Sequence, residues 1–363
     1  MDKLFPLPIY TFLKMAWTSG GFSVRKVKNI LPWLFKTILL EPLRWMELAR
    51  YNPKIRRHGI EQDPIFILGF YRSGTSYLHH FMTQDDRFGY HTNYQMIFPD
   101  MMLCCEKWMS PAFDFIFKIF RVQDPVHRIP LSFRFPGEED GSMTTAASRR
   151  GSAWGYFFPT RLYEYFSKYV LYRGIPEEEV EGWKKEYLYL VKKISLSNGG
   201  KQLILKSPPN TARIRTLLSM FPNAKFVLIH RNPYEVYASN KRFWEVVKSI
   251  YVVGKSREVD INNLILDIYA DTMQAFLDQK ALVPEGQLIE LPYLEFIQNP
   301  VKRMRDVYEK LNLHPFSYCA DKMQAFAEKQ KKYKRLQHQL PADEKRIATE
   351  KLKPFLEYWG YPV

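Results

Sequence analysis

The chain has 363 residues, 46% apolar and 25% charged, an ordinary globular composition with room for one large domain or two small ones. A net charge of +15 and a pI of about 9.5 favour anionic partners, phosphorylated small molecules or acidic lipid surfaces. No zinc-finger or RNA-binding aromatic motif accompanies that charge, so nucleic acid is excluded from the expected partners. Three cysteines, Cys104 and Cys105 adjacent and Cys319 alone, form neither a disulfide framework nor a metal spacing. They suit a reducing compartment, and a cytoplasmic location is expected.

The first 50 residues read as an N-terminal amphipathic helical segment. Its apolar start, Leu4–Leu13, is broken by Pro6 and Pro8 and lacks the charged start and small-residue cleavage site of a signal peptide. No run approaches the roughly 20 apolar residues of a spanning helix. Over 24–50 the pattern gives a helix or two, with Pro32 and Pro42 as starts or breaks. Ile30, Leu31, Leu34, Phe35, Ile38 and Leu39 fall near helical spacing, among Trp33, Trp45 and several Lys and Arg residues. Such a segment fits packing on the domain. Its Trp, Lys and Arg residues also fit peripheral contact with a lipid headgroup layer. Arg50–Asp63 reads as a polar connector, and residues 51–363 as a single domain.

Ile65–Leu68 is a short apolar run, too short for a helix and typical of a central parallel strand. Gly69 and Gly74 bracket a turn, and Thr75 to Met82 fit a helix. A strand feeding a helix through a glycine-containing loop makes an anion site, because the first helical N–H groups and the helix dipole face the loop. Arg72 adds a full charge, and Ser73, Thr75 and Ser76 add hydroxyls. Gly69-x4-Gly74 matches half of a Walker A loop, but Thr75 stands where that motif has Lys. A plain strand-to-helix turn would also explain this loop taken alone.

Residues 92–120, rich in Met, Phe and Trp, are expected to be helical. Asp124–Gly141 is a proline-rich loop ending in Glu138-Glu139-Asp140 at a helix start. Aromatic residues crowd 153–172. A helix starts at Pro176-Glu177-Glu178-Glu179 and stops at Asn198-Gly199-Gly200. The remaining expected strands are Gln202–Leu205, Lys225–His230 and Gln287–Leu291. Helices are expected over Thr211–Phe221, from Pro233 through Asn240, and near 258–282, 300–311, 321–333 and 342–358. Strands alternating with helices give an α/β fold: a central parallel sheet flanked by helices, with helical insertions.

Ligands of such sheets bind at the carboxyl ends of the strands. Three clusters fall there: Arg72-Ser73-Gly74-Thr75-Ser76, Lys206-Ser207, and Arg231 with Ser239 eight residues on. An Arg fork and a Ser hydroxyl suit one phosphate.

These motifs together resemble the sulfotransferases that use 3′-phosphoadenosine-5′-phosphosulfate. Arg72 to Ser76 resembles the family's 5′-phosphosulfate loop. Ile229-His230-Arg231-Asn232-Pro233 with Ser239 resembles its 3′-phosphate motif, and Leu205-Lys206-Ser207-Pro208 its second-strand lysine element. The match runs from about residue 64 to the C-terminus and is strongest to the bacterial-type branch. There Pro136-Gly137-Glu138-Glu139-Asp140 loosely fits a Pro-x-Glu-Asp-Glu element, and His79 fits a helix histidine. The resemblance implies the P-loop-like sulfotransferase fold and that phosphosulfate as cosubstrate. Arg72, Ser73, Gly74, Thr75, Ser76, Lys206, Arg231 and Ser239 are then its expected contacts, with no metal. The catalytic histidine of the cytosolic small-molecule branch falls here on Pro208, which cannot act as a base. Glu138 is therefore the expected general base, with Glu139 and Asp140 next, and His79, His80 and His127 behind them. Arg72 and Lys206 are the expected charge stabilisers. A hydrophobic alcohol, sterol or lipid, is the expected acceptor, with a carbohydrate or glycolipid hydroxyl as the alternative. A P-loop kinase would need the missing loop lysine, and a non-enzymatic lipid-binding protein would leave the three strand ends unexplained.

Overall fold

The computed structural model describes residues 8–125, 129–146, 148–255, 259–330 and 340–363. His127, residues 4–7 of the apolar start, Glu258 and the last residues of the helix expected over 321–333 lie outside them. In chain order, helices α1 (Pro8–Thr18), α2 (Val27–Leu39) and α3 (Glu41–Arg57) lead to strand β1 (Ile65–Leu68) and helix α4 (Thr75–Met82). Strand β2 (Gly89–Tyr90) precedes α5 (Asn93–Ile97), α6 (Met102–Ile119), α7 (Glu139–Thr145), α8 (Trp154–Phe157), α9 (Leu162–Tyr169) and α10 (Glu177–Ser197). The chain continues through β3 (Leu203–Lys206), α11 (Ile214–Met220), β4 (Lys225–His230), α12 (Pro233–Ile250) and α13 (Ile261–Gln279). It ends with β5 (Leu288–Pro292), α14 (Tyr293–Gln298), α15 (Pro300–Lys310), α16 (Ala320–Gln330) and α17 (Ala342–Tyr358). These elements group into two compact units: residues up to 61 with 91–200 and 243–259, and residues 62–90 with 201–242 and 260–363.

The second unit holds a five-stranded parallel sheet in the order β2-β3-β1-β4-β5. β1 lies at its centre because all four of its side chains are apolar and fully buried. Ile65 and Ile67 pack with Leu78 and Phe81 of α4, Phe296 of α14 and Met304 of α15. Phe66 points the other way, stacking on Phe226 (5.8 Å) and tilting against Phe221 (6.0 Å). Side chains alternating to two covered faces make the flanked parallel sheet that the sequence predicts.

Several boundaries differ from expectation. β2 went unforeseen, since two residues carry no periodicity. β3 and β5 sit one residue later than expected; Pro292 ends β5 at the sheet edge, where the missing N–H costs no ladder bond. The helix expected from Thr211 is instead a 3-10 turn, Pro208–Ala212, followed by α11. The α12 helix runs to Ile250 rather than stopping near Asn240.

The other unit is helical. The expected connector from Arg50 is the continuation of α3 to Arg57. Charge hides this helix in the sequence, because its buried residues include Arg44 and Glu47 alongside Ile55. Glu47 pairs with Lys193 (2.6 Å) and accepts the N–H groups of Leu103 (2.7 Å) and Cys104 (3.1 Å) at the start of α6. Pro32 lies inside α2 rather than at its end, whereas Pro42 sits in the first turn of α3. The aromatic richness near 153–172 goes largely into packing. Trp154, Phe157, Phe158 and Tyr165 are buried with Phe12, Ile30 and Trp33 in one cluster. Among the described residues no helix is long and apolar enough to cross a membrane.

Candidate functional site

The loop after β1 is shaped by glycine. Gly69 has φ +140°, and a Cβ there would stand 2.5 Å from the Ile229 carbonyl oxygen. Its N–H donates to Thr211 Oγ1 (2.8 Å). Gly74 has φ +107° at the N-cap of α4, where a Cβ would stand 2.5 Å from the Tyr293 ring. Between them Arg72 adopts φ +71°, unusual for a residue with a Cβ. The Ser73 hydroxyl donates to the Phe70 carbonyl (2.7 Å), as does its N–H (3.1 Å), so this side chain closes the loop on itself. The first bond of α4 runs from the Leu78 N–H to the Gly74 carbonyl (3.1 Å). The N–H groups of Thr75, Ser76 and Tyr77 precede it, which gives the helix start its anion-binding character.

The neighbouring strand ends deliver cations to this loop. Lys206 pairs in register with Ile67, so it leaves β3 level with the end of β1. It is 3% exposed, and its ammonium donates to Ser76 Oγ (3.4 Å). Arg231 follows β4. Its guanidinium lies 4.8 Å over the Tyr293 ring and donates to Glu235 one helical turn on (2.7 Å). An aromatic face and a carboxylate therefore hold this fork in place. Ser239, buried on α12, accepts from Arg72 Nε (3.1 Å). Asn240 beside it donates to the Tyr71 carbonyl (2.9 Å). The first and third motifs, 167 residues apart in sequence, are thus joined side chain to side chain.

The sulfotransferase family profile matches residues 64–318, a span that takes in the loop, Lys206, Arg231 and Ser239. The chain belongs to the sulfotransferase family. It is 26% identical over 317 residues to the omega-hydroxy-beta-dihydromenaquinone-9 sulfotransferase Stf3 of Mycobacterium bovis, covering 87% of this chain and 80% of that one. Stf3 of Mycobacterium tuberculosis matches with the same figures. Among solved structures, the sulfotransferase STF1 of Mycobacterium tuberculosis shares the fold with a TM-score of 0.70 at 16% identity, over 96% of this chain and 91% of that one. STF9 of Mycobacterium avium does so with a TM-score of 0.66 at 17% identity, over 88% and 82%. This sulfotransferase is accordingly an enzyme with the parallel-sheet, P-loop-like fold of its neighbours.

The expected bases of the sulfotransferase have distinct surroundings. Glu138 is the half-buried residue preceding α7, in the helical unit. Glu139 is fully buried and accepts from the Tyr187 hydroxyl (3.0 Å), and Asp140, buried, accepts from Ser152. Both therefore hold α7 in its unit. His79 is fully buried, with Nε2 3.3 Å from the Ile204 carbonyl, a bond that ties α4 to β3. Sequence reasoning missed Tyr293, Thr211, Asn240 and Glu235. For Tyr293 the available signal was its place directly after the last strand, beside the other strand ends.

Proposed function

We propose that the enzyme transfers a sulfuryl group from 3′-phosphoadenosine-5′-phosphosulfate to the hydroxyl of a hydrophobic alcohol, a sterol or lipid. The observation that carries this reading is the Arg72–Ser239 hydrogen bond beside Arg231, which joins two anion-binding motifs at adjacent strand ends. A ligand with phosphate groups on both sides of a ribose fits such a pair. The two glycines, where a Cβ would collide with the Ile229 carbonyl or the Tyr293 ring, let the loop close against these neighbours in the shape the ligand would meet. The donor supplies the activated sulfuryl group and a 5′-phosphate leaving group.

The chain's own residues then divide the work. Arg72, Lys206, Thr75, Ser76 and the first N–H groups of α4 bind the 5′ end and stabilise the charge that grows there. Gly74 lets the loop approach, and Ser73 fixes its shape. Arg231 and Ser239 hold the 3′-phosphate. Glu138, more accessible than Glu139 and Asp140, takes the acceptor proton. A sulfuryl group carries less negative charge than a phosphoryl group, so no step is assigned to a metal. The name of Stf3, which acts on a hydroxylated menaquinone, supports a lipid alcohol as acceptor. The free thiols Cys104, Cys105 and Cys319 support a cytoplasmic setting.

The test is transfer from labelled donor to a panel of sterols, hydroxylated lipids and sugars, with products identified by mass. Transfer to the lipid alcohols is expected; transfer to sugars alone would overturn the acceptor. Glu138→Gln should leave binding of adenosine 3′,5′-bisphosphate intact and cut turnover roughly 10²-fold or more. Near-normal turnover would remove Glu138 from the mechanism.

A further inference from the structure

Helix α2 is apolar on two faces. Ile30 and Trp33 point into the helical unit and are buried against Phe12, Trp154 and Phe157. Val27, Leu31, Phe35 and Ile38 point away and are 52%, 57%, 60% and 62% exposed. At 3.6 residues per turn these four fall within about 80° of arc, a continuous stripe where a water-facing helix would carry polar side chains. Helix α6 repeats the pattern. Its Cys105, Met109, Phe113 and Phe117 face a small core shared with Leu40, between α2 and α3, and Leu43, in the first turn of α3. Its Trp108, Phe115 and Ile119 are 59%, 66% and 58% exposed. Both outward apolar stripes belong to the helical unit.

Charge identifies what covers the α2 stripe. Residues 8–39 contain Lys14, Arg25, Lys26, Lys28 and Lys36 and no Asp or Glu. Arg25 and Lys28 are exposed on either side of Val27, and Trp17 is 86% exposed. A symmetric contact with a second copy would set this basic segment against itself. An anionic bilayer surface neutralises it, accepts the apolar stripe below the headgroups and suits Trp at the boundary.

We propose that the outward face of α2 docks this enzyme on an anionic lipid bilayer, lying in the interface without crossing it. The inference rests on this surface and not on the acceptor assigned above. It is tested with the full chain alone, without donor or acceptor, by co-sedimentation with vesicles of phosphatidylcholine or of phosphatidylcholine mixed with phosphatidylglycerol. Binding to the mixed vesicles should be about tenfold tighter than to the neutral ones. The pair Leu31→Glu and Phe35→Glu should weaken it by about tenfold or more, with the thermal unfolding midpoint unchanged because both side chains are exposed. Lys28→Glu, which leaves the apolar stripe intact, should abolish the preference for the anionic vesicles. Wild-type protein left in the supernatant would overturn the proposal. So would variants that all sediment like the wild type. A wild-type dimer that the Leu31 and Phe35 substitutions dissociate, without vesicle binding, would overturn it too and assign the face to a second copy.

Discussion

Arg231 is the residue proposed to take the 3′-phosphate. Its guanidinium lies over the Tyr293 ring and is bonded to Glu235, so few rotamers would remain to be lost on binding the phosphate proposed for it. Tyr293 serves twice, since the same ring closes over Gly74 at the start of α4. Arg72 is fixed differently, by a left-handed backbone and by its bond to Ser239. A charged hydrogen bond to a phosphate contributes about 1.5–3 kcal/mol. Arg231→Ala should therefore weaken binding of adenosine 3′,5′-bisphosphate by roughly 10- to 150-fold. Adenosine 5′-phosphosulfate, which lacks the 3′-phosphate, should lose little. Isothermal titration of both ligands makes the comparison, and equal losses would mean that Arg231 does not serve the 3′ end.

At the scale of elements, legibility followed the burial of apolar surface. β1, its loop and α4 could be read because a flat apolar run, two glycines and a helical pattern follow one another. α10 could be read from its acidic start and Gly-Gly stop. α3 could not be followed past Arg50 because its buried face carries Arg44 and Glu47, which periodicity counts as solvent-facing. The strand-end cations were legible as motifs. The groups that orient them were not, since a lone Tyr293, Thr211 or Asn240 makes no pattern until the chain folds. The end of β4 has a further support of this kind. His230 stacks on Trp359 (5.0 Å), and Tyr361 bonds both its Nδ1 (3.0 Å) and its carbonyl (3.3 Å). Burial disfavours its protonated form and pushes its pKa down from 6.5 to about 4, against a smaller opposing pull from Glu290. The unfolded chain therefore takes up this proton first, and stability is lost as pH falls from about 6.5 towards 4. Between pH 7 and pH 5 the loss from this group is about 2 kcal/mol. Urea unfolding at the two pH values should show His230→Phe losing that much less than wild type. An equal loss in both would mean that His230 is protonated in the folded protein.

For the molecule as a whole, the excess of 53 basic over 38 acidic residues acts at longer range than any single contact. The proposed donor, with phosphate at both ends, would be drawn towards such a surface before it touches the loop. Exposed charges lose their reach once the Debye length falls to about 3 Å at 1 M salt, from about 30 Å at 0.01 M. In the proposed function Lys206, at 3% exposure, holds the ligand where ions penetrate poorly, so its contribution would change less with salt. The two effects separate in kinetics. Raising salt from about 0.02 M to 0.5 M should slow association of adenosine 3′,5′-bisphosphate by about tenfold or more, while the dissociation rate changes much less. Stopped-flow binding gives both rates. An association rate independent of salt would show that the net charge does not steer the ligand. A large rise in dissociation instead would show that Lys206 is open to solvent ions, against its burial.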